Sequence, residues 1–223
     1  MTLDILSLPT GVDGFSIEQA FEGLADLYAR VDAHAASLAP SLDLLCHAGC
    51  SGCCRDSVFV TPLEALFLLH HATRTLSGET LRSVVDAGVA TFHAHRDRIL
   101  RFGHVDCPGA PPVDDASTLP RPVDRVLAAR ALSFDCPFLD GGGRCTVYAA
   151  REMRARLFGL SRLKSRDEFY ACAEMGRRLD GREVRLMDAE AVYSLLKLYP
   201  LTAGEQVVPY YLWRYAAVLS DGG

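Results

Sequence analysis

The chain has 223 residues, 49% of them hydrophobic and 23% charged, with a net charge of −5. That length supports a sizeable core, and the acidic balance argues against a dedicated nucleic-acid binder. No apolar run approaches the ~18 residues of a membrane span. The first residues lack the basic and apolar regions of a secretory leader, so a cytoplasmic protein is expected.

The first helical stripe is Ile17, Phe21, Leu24, Leu27, Tyr28, Val31 and Leu38, spaced at i, i+3 and i+4. Ser16 and Gln19 predict a capping box at its start, and Pro40 predicts its end. A cysteine-rich loop follows. Thr61-Pro62-Leu63-Glu64 then predicts a helix start, with Thr as cap, Pro in the first turn and Glu three residues on. That helix, to about residue 76, is apolar almost all round and is expected to be buried. Ser77-Gly78 breaks it. A second long helix is predicted over 79–101, with Leu81, Val84, Val85, Val89, Phe92 and Ile99 inward.

Residues 103–122 are rich in Pro, Gly and Asp and read as a loop, a candidate linker or lid that carries Cys107. A short helix is predicted over 123–132. In 136–148, apolar runs flank Gly141-Gly142-Gly143, which predicts a small hairpin. Helices are predicted again over 149–158, 166–179, 188–198 and 205–219. The fold class expected is mainly α: a compact helical domain with a cysteine-rich loop and one short β-hairpin. The whole chain, 1–223, reads as a single cysteine-cluster domain, with its motif region at 46–172 and a helical C-terminal extension at 186–220.

Eight cysteines in a reducing compartment argue against a disulfide framework. Four of them, Cys46, Cys50, Cys53 and Cys54, fall within nine residues. Thiolates at such short spacing gather around a metal at low chain-entropy cost, and Gly49 and Gly52 allow a tight backbone. Cys53 and Cys54 are adjacent and their side chains diverge, so one of them is a candidate for a second metal, a bridge or a reactive thiol. The hairpin offers Cys136 and Cys145, and Cys172 is a candidate to close the shell. Cys107 is balanced between ligand and bystander. Cys172 also reads as a helix-packing residue.

The cluster, its continuation Arg55…Val58-Phe59-Val60-Thr61-Pro62-Leu63-Glu64-Ala65, and Cys136-Pro137-Phe138-Leu139…Cys145-Thr146-Val147-Tyr148-Ala149-Ala150-Arg151 together resemble the YkgJ-type CxxCxxCC family. The resemblance implies a zinc- or iron-chelating domain. The family pattern after the hairpin, Tyr-x-x-Arg-Pro-x-x-Cys-Arg, meets Tyr148, Arg151 and Arg156 here. Glu152 stands in place of its proline and Ala155 in place of its cysteine. The first cysteines are also spaced wider than the family name implies. Some members resemble protein-modifying enzymes, including flagellin lysine methylases, so a protein or peptide partner is compatible with the resemblance.

Thiolate-rich sites favour zinc and iron–sulfur clusters over hard cations. The cofactor expected is an iron–sulfur cluster or one or more Zn or Fe ions. The spacing Cys46-x3-Cys50-x2-Cys53 matches that of radical-SAM enzymes and makes a 4Fe–4S cluster reasonable, which tips the reading slightly from zinc. Gly52, where an aromatic usually stands, and the helical pattern count against that enzyme class. The metal ligands expected are Cys46, Cys50, Cys53, Cys54, Cys136, Cys145 and Cys172.

Arginine is dense from Arg144 to Arg185. Solvated helix faces account for most of it, while Arg151 and Arg156 are candidate cofactor-binding residues that offset a thiolate-rich site's negative charge. His47 and His104 are minor candidates as ligands. Val208, Tyr211, Leu212 and Tyr215 read as a packing face. The function expected is a metal-binding protein with a structural or metal-handling centre. The alternative is a redox or peptide-modifying enzyme in which Ala155 leaves a coordination position open. The partners expected are the metal ion or cluster, with no nucleic acid and no membrane.

Overall fold

The computed structural model describes residues 4–42, 50–52, 54, 59–111, 132, 134–165 and 167–220, with the side chains of 41, 42, 173 and 174 excepted. Helices dominate. They are α1 (Ile17–Leu42), α2 (Pro62–Thr75), α3 (Gly78–Leu100), α4 (Met153–Leu157), α5 (Ala173–Leu179), α6 (Ala189–Leu196) and α7 (Val208–Ser220). Among the described residues, no helix is long and apolar enough to cross a membrane.

The local start signals work as the sequence predicts. Gln19 N–H donates to Ser16 Oγ at 3.1 Å and Ser16 N–H to Gln19 Oε1 at 3.0 Å. Thr61 and Glu64 close the same reciprocal box at α2. Pro40 does not end α1, which runs on to Leu42. Pro40 lies in the last turn, so its missing N–H forfeits one hydrogen bond near an end that frays anyway. Ser77 caps α3 instead of merely breaking α2, and α3 loses helical geometry at His95 (φ −120°, ψ 15°).

Helix α2 packs against α1 on one side and against α3 and α7 on others. That explains its apolar perimeter: Leu63, Leu66, Leu68, Leu69 and Ala72 are all buried. The tightest helix pairing is α3 with α7. It depends on Gly88, where an added Cβ would stand 2.3 Å from Leu212 Cδ1. Phe92 of α3 stacks on Trp213 of α7 with centroids 4.0 Å apart. Val208, Tyr211, Leu212 and Tyr215 are buried, as their spacing predicts. Residues 186–220 thus contribute to the core.

The strands lie where the sequence reads helix or nothing. β1 (Phe59–Val60) pairs antiparallel with β5 (Gln206–Val207), with Phe59 opposite Val207. β2 (Ser161–Leu163), β3 (Glu168–Tyr170) and β4 (Met187–Asp188) form a three-stranded sheet in the order β3-β2-β4. β2 runs antiparallel to β3 and parallel to β4. The helix expected over 166–179 is therefore strand first and helix only from Ala173. Asp167, with φ 55°, supplies the left-handed turn residue that reverses the chain there. The helix expected over 149–158 is a 3-10 turn at Tyr148–Ala150 followed by α4. The helix expected over 123–132, apart from the buried Leu132, and the central cysteines Cys46 and Cys53 lie outside the described residues.

In place of a two-stranded hairpin, 136–148 forms one antiparallel bridge between Leu139 and Cys145. Its turn is stapled by Asp140, whose Oδ1 accepts from the N–H groups of Gly142 and Arg144, each at 2.8 Å. The Arg144 N–H heads the causes that hold the Asp140 carboxyl below its ordinary value. Gly143 takes φ 75°, which a side chain would strain.

Candidate metal centre

Cysteine side chains can act together only where their backbones approach. Cys54 closes a short turn, donating its N–H to Ser51 C=O at 3.0 Å. Its own C=O then accepts the N–H of Cys136 at 2.8 Å. One hydrogen bond therefore fastens the first cysteine motif to the second. Cys136 C=O accepts from Leu139 N–H at 2.9 Å, a turn that folds Cys136 back over the bridge in which Leu139 pairs with Cys145.

Cys172 arrives from a third direction. It precedes α5 as its cap, and its Sγ accepts from Met175 N–H at 3.5 Å. The sequence places it inside a helix; the break at β3 moves it to the helix entrance. A Cβ added at Gly52 would stand 4.0 Å from Cys172 Cβ, so the backbone of the first motif lies directly against Cys172. Cys54, Cys136, Cys145 and Cys172 are all half-buried, and Cys50 is exposed. Three segments remote in sequence thus meet, each bearing soft sulfur donors. Among the described residues, no three or more His, Cys, Asp or Glu side chains are placed so that they could hold a metal ion; Cys46 and Cys53, and His47 with them, are not among those residues.

Cys107 stands apart from these segments. It is buried in the core, donates its S–H to Val105 C=O at 3.4 Å, and neighbours Arg214, Tyr210 and Tyr215. Burial pushes its thiol up to about 11. The polar loop expected around it is instead folded inward, because Phe102, Val105 and Cys107 are all buried.

The arginines expected near the cofactor are held by α1. Arg151 Nη2 donates to Asp32 Oδ1 at 2.8 Å, and its guanidinium lies 4.0 Å from the Tyr148 ring. Arg156 pairs with the other oxygen of Asp32, donates to Arg151 C=O and Ala149 C=O, and stacks 4.0 Å over the Tyr28 ring. Its side chain is 1% exposed, so it is a buried strut, not a solvated face. Ala155 is half-buried on α4, and its N–H donates to Glu152 Oε1 at 2.8 Å. Glu152 is the cap of that helix.

The sequence reading passes over a polar group next to β3. Arg154 pairs with Glu205 at 2.8 Å and faces the rings of Tyr193 at 5.5 Å and Phe59 at 5.8 Å. Arg154 Nε and the Tyr193 hydroxyl are buried without a hydrogen-bond partner. Tyr170, whose pKa burial raises, adjoins Arg154 and precedes Cys172 by two residues. The density of arginine is the one signal for this group in the sequence, and it does not single out Arg154.

The chain matches no family profile, no curated protein and no solved structure.

Proposed function

We propose that this chain holds a cysteine-ligated metal centre, an iron–sulfur cluster or a zinc or iron site, at the junction of the first cysteine motif, the 136–145 turn and the start of α5. The observation that carries this reading is the hydrogen bond from Cys136 N–H to Cys54 C=O, which joins the two cysteine motifs. Gly52 against Cys172 adds the third segment. The ligands are drawn from Cys50, Cys54, Cys136, Cys145 and Cys172, with Cys46 and Cys53 included on their sequence position. The resemblance to the CxxCxxCC family supports the same reading, and so does the preference of soft thiolates for zinc and iron–sulfur centres.

Such a centre would cross-link three segments that are remote in sequence, which is a structural task. A second reading, a metal-dependent enzyme acting on a protein or peptide, draws on two observations. Ala155 brings a methyl where the family brings a thiolate. Arg154 Nε and the Tyr193 hydroxyl stand unsatisfied near Tyr170, as groups that a polar substrate would complete.

Metal content and a visible spectrum on protein purified without oxygen test the proposal. Iron and sulfide in similar amounts, with absorption near ~400 nm that bleaches on reduction, identify a cluster. Colourless protein with one or two zincs identifies a zinc site. Folded, metal-free protein with eight free thiols overturns the proposal.

A further inference from the structure

A second polar group lies away from the cysteine segments, between α7 and residues 104–108. Arg214 on α7 is 7% exposed, and its Nε has no hydrogen-bond partner. Among the described residues, no carboxylate pairs with it. Glu205 pairs with Arg154, and the fully exposed Asp106 faces His104. The neighbouring hydroxyls are already used. Tyr210 donates to Val105 C=O at 3.0 Å and meets His104 Nδ1 at 3.1 Å, and Tyr215 donates to Pro108 C=O at 2.7 Å.

The guanidinium does reach Cys107. That thiol is no counter-charge: burial pushes it up to about 11, so its sulfur is neutral at physiological pH. Arginine cannot relieve its own burial by losing a proton. A cation held out of water with no opposite charge among the described residues weakens the fold, and a bound anion would supply that charge. The planar fork of a guanidinium matches the two oxygens of a carboxylate or phosphate group.

We propose that Arg214, beside Cys107 and Tyr210, is the recognition group of a small oxyanion site that takes a carboxylate or phosphate group. The 7% of Arg214 that remains exposed is the edge by which such a group arrives. The site shares no residue with the proposed metal centre and stands or falls independently of it.

Thermal unfolding of the full-length chain, at constant ionic strength set with chloride, is measured against increasing inorganic phosphate or acetate. The unfolding temperature is expected to rise with at least one of them. The more effective anion identifies the ligand as a phosphoryl or a carboxylate group. Arg214→Met is expected to unfold no lower than the unvaried protein without added anion and to lose the response. Arg214→Lys keeps the charge but not the fork, and is expected to raise the half-effective anion concentration about tenfold. No response of the unvaried protein to either anion overturns the proposal, as does an undiminished response in Arg214→Met. If Arg214→Met does not fold, an unchanged half-effective concentration in Arg214→Lys overturns it.

Discussion

The Tyr28 hydroxyl of α1 donates to Glu64 Oε1 of α2 at 3.0 Å, inside the core. The same oxygen accepts Met153 N–H of α4 at 2.8 Å, while Oε2 accepts from both the N–H and the hydroxyl of Thr61, each at 3.0 Å. One buried carboxylate therefore holds three helices. It lies between the two cysteine-bearing halves of the chain, since α2 follows the first motif and α4 follows the second.

Replacing Glu64 by Ala leaves four buried donors without an acceptor. The expected loss is about 3 kcal/mol of unfolding free energy by urea titration. Tyr28→Phe removes one bond and leaves no donor stranded, so it is expected to cost about 1 kcal/mol. Equal losses in the two variants would mean that the carboxylate is not the hub.

The pH dependence follows from the same burial. Desolvation raises Glu64 above its ordinary value of 4.5, and the four donors only partly offset it. A carboxyl with a raised folded pKa binds its proton more tightly in the native state. Its contribution is therefore full below 4.5 and is lost as pH rises from there through the folded value. Stability measured upward across that range should show a decline that Glu64→Gln abolishes. A decline unchanged in Glu64→Gln assigns it to another group.

Arg156 offers a second test of the interior. Its guanidinium serves Asp32, Arg151 C=O and Ala149 C=O together. Arg156→Met strands two carbonyls and leaves Asp32 paired with Arg151 alone. Asp32 is 39% exposed, so water recovers part of that loss. An expected cost of about 2 kcal/mol follows. Arg156→Lys restores the charge without the fork and should recover less than half. Full recovery by lysine would reduce the role to a simple ion pair.

What the sequence made legible was local. The boxes at Ser16 and Thr61 need only residues three apart, and the buried face of α7 needs only helical period. β1 and β5 are two residues each and define each other across most of the chain, so no period announces them. Residues 168–170 form a strand of three residues, too short to outvote the helical pattern that follows. Arg156 reads as a candidate cofactor-binding residue because Asp32, Ala149 and the Tyr28 ring, which together bury it, are not its helical neighbours. The cysteine motifs themselves are plain in the sequence, whereas the bond from Cys136 to Cys54 depends on how the Asp140 turn folds.

Gly88 sets the distance between α3 and α7. An added Cβ would stand 2.3 Å from Leu212 Cδ1 and 2.7 Å from Leu212 Cβ. Gly88→Ala should therefore destabilise by about 1–3 kcal/mol despite its better helix propensity. Trimming Leu212 to Ala in the same chain makes room for the methyl. The double variant should lose less than the sum of the two single losses, by a coupling of about 1 kcal/mol. Additive losses would show that the helices separate without hindrance.

The proposed metal centre separates the cysteines into two classes. Cys54, Cys136 and Cys172 belong to segments that touch, so serine at any of them should reduce the metal bound per chain. Serine keeps the size of the side chain but is a poor donor to zinc or iron–sulfur centres. Cys107 lies among Tyr210, Tyr215 and Arg214 in the core, and Cys107→Ser should leave metal content unchanged. Measuring bound metal in all four variants, purified without oxygen, distinguishes the two classes. Loss confined to the first three supports a centre at the junction of Cys54, Cys136 and Cys172. Loss in Cys107→Ser equal to that in Cys136→Ser would move the centre into the core beside α7.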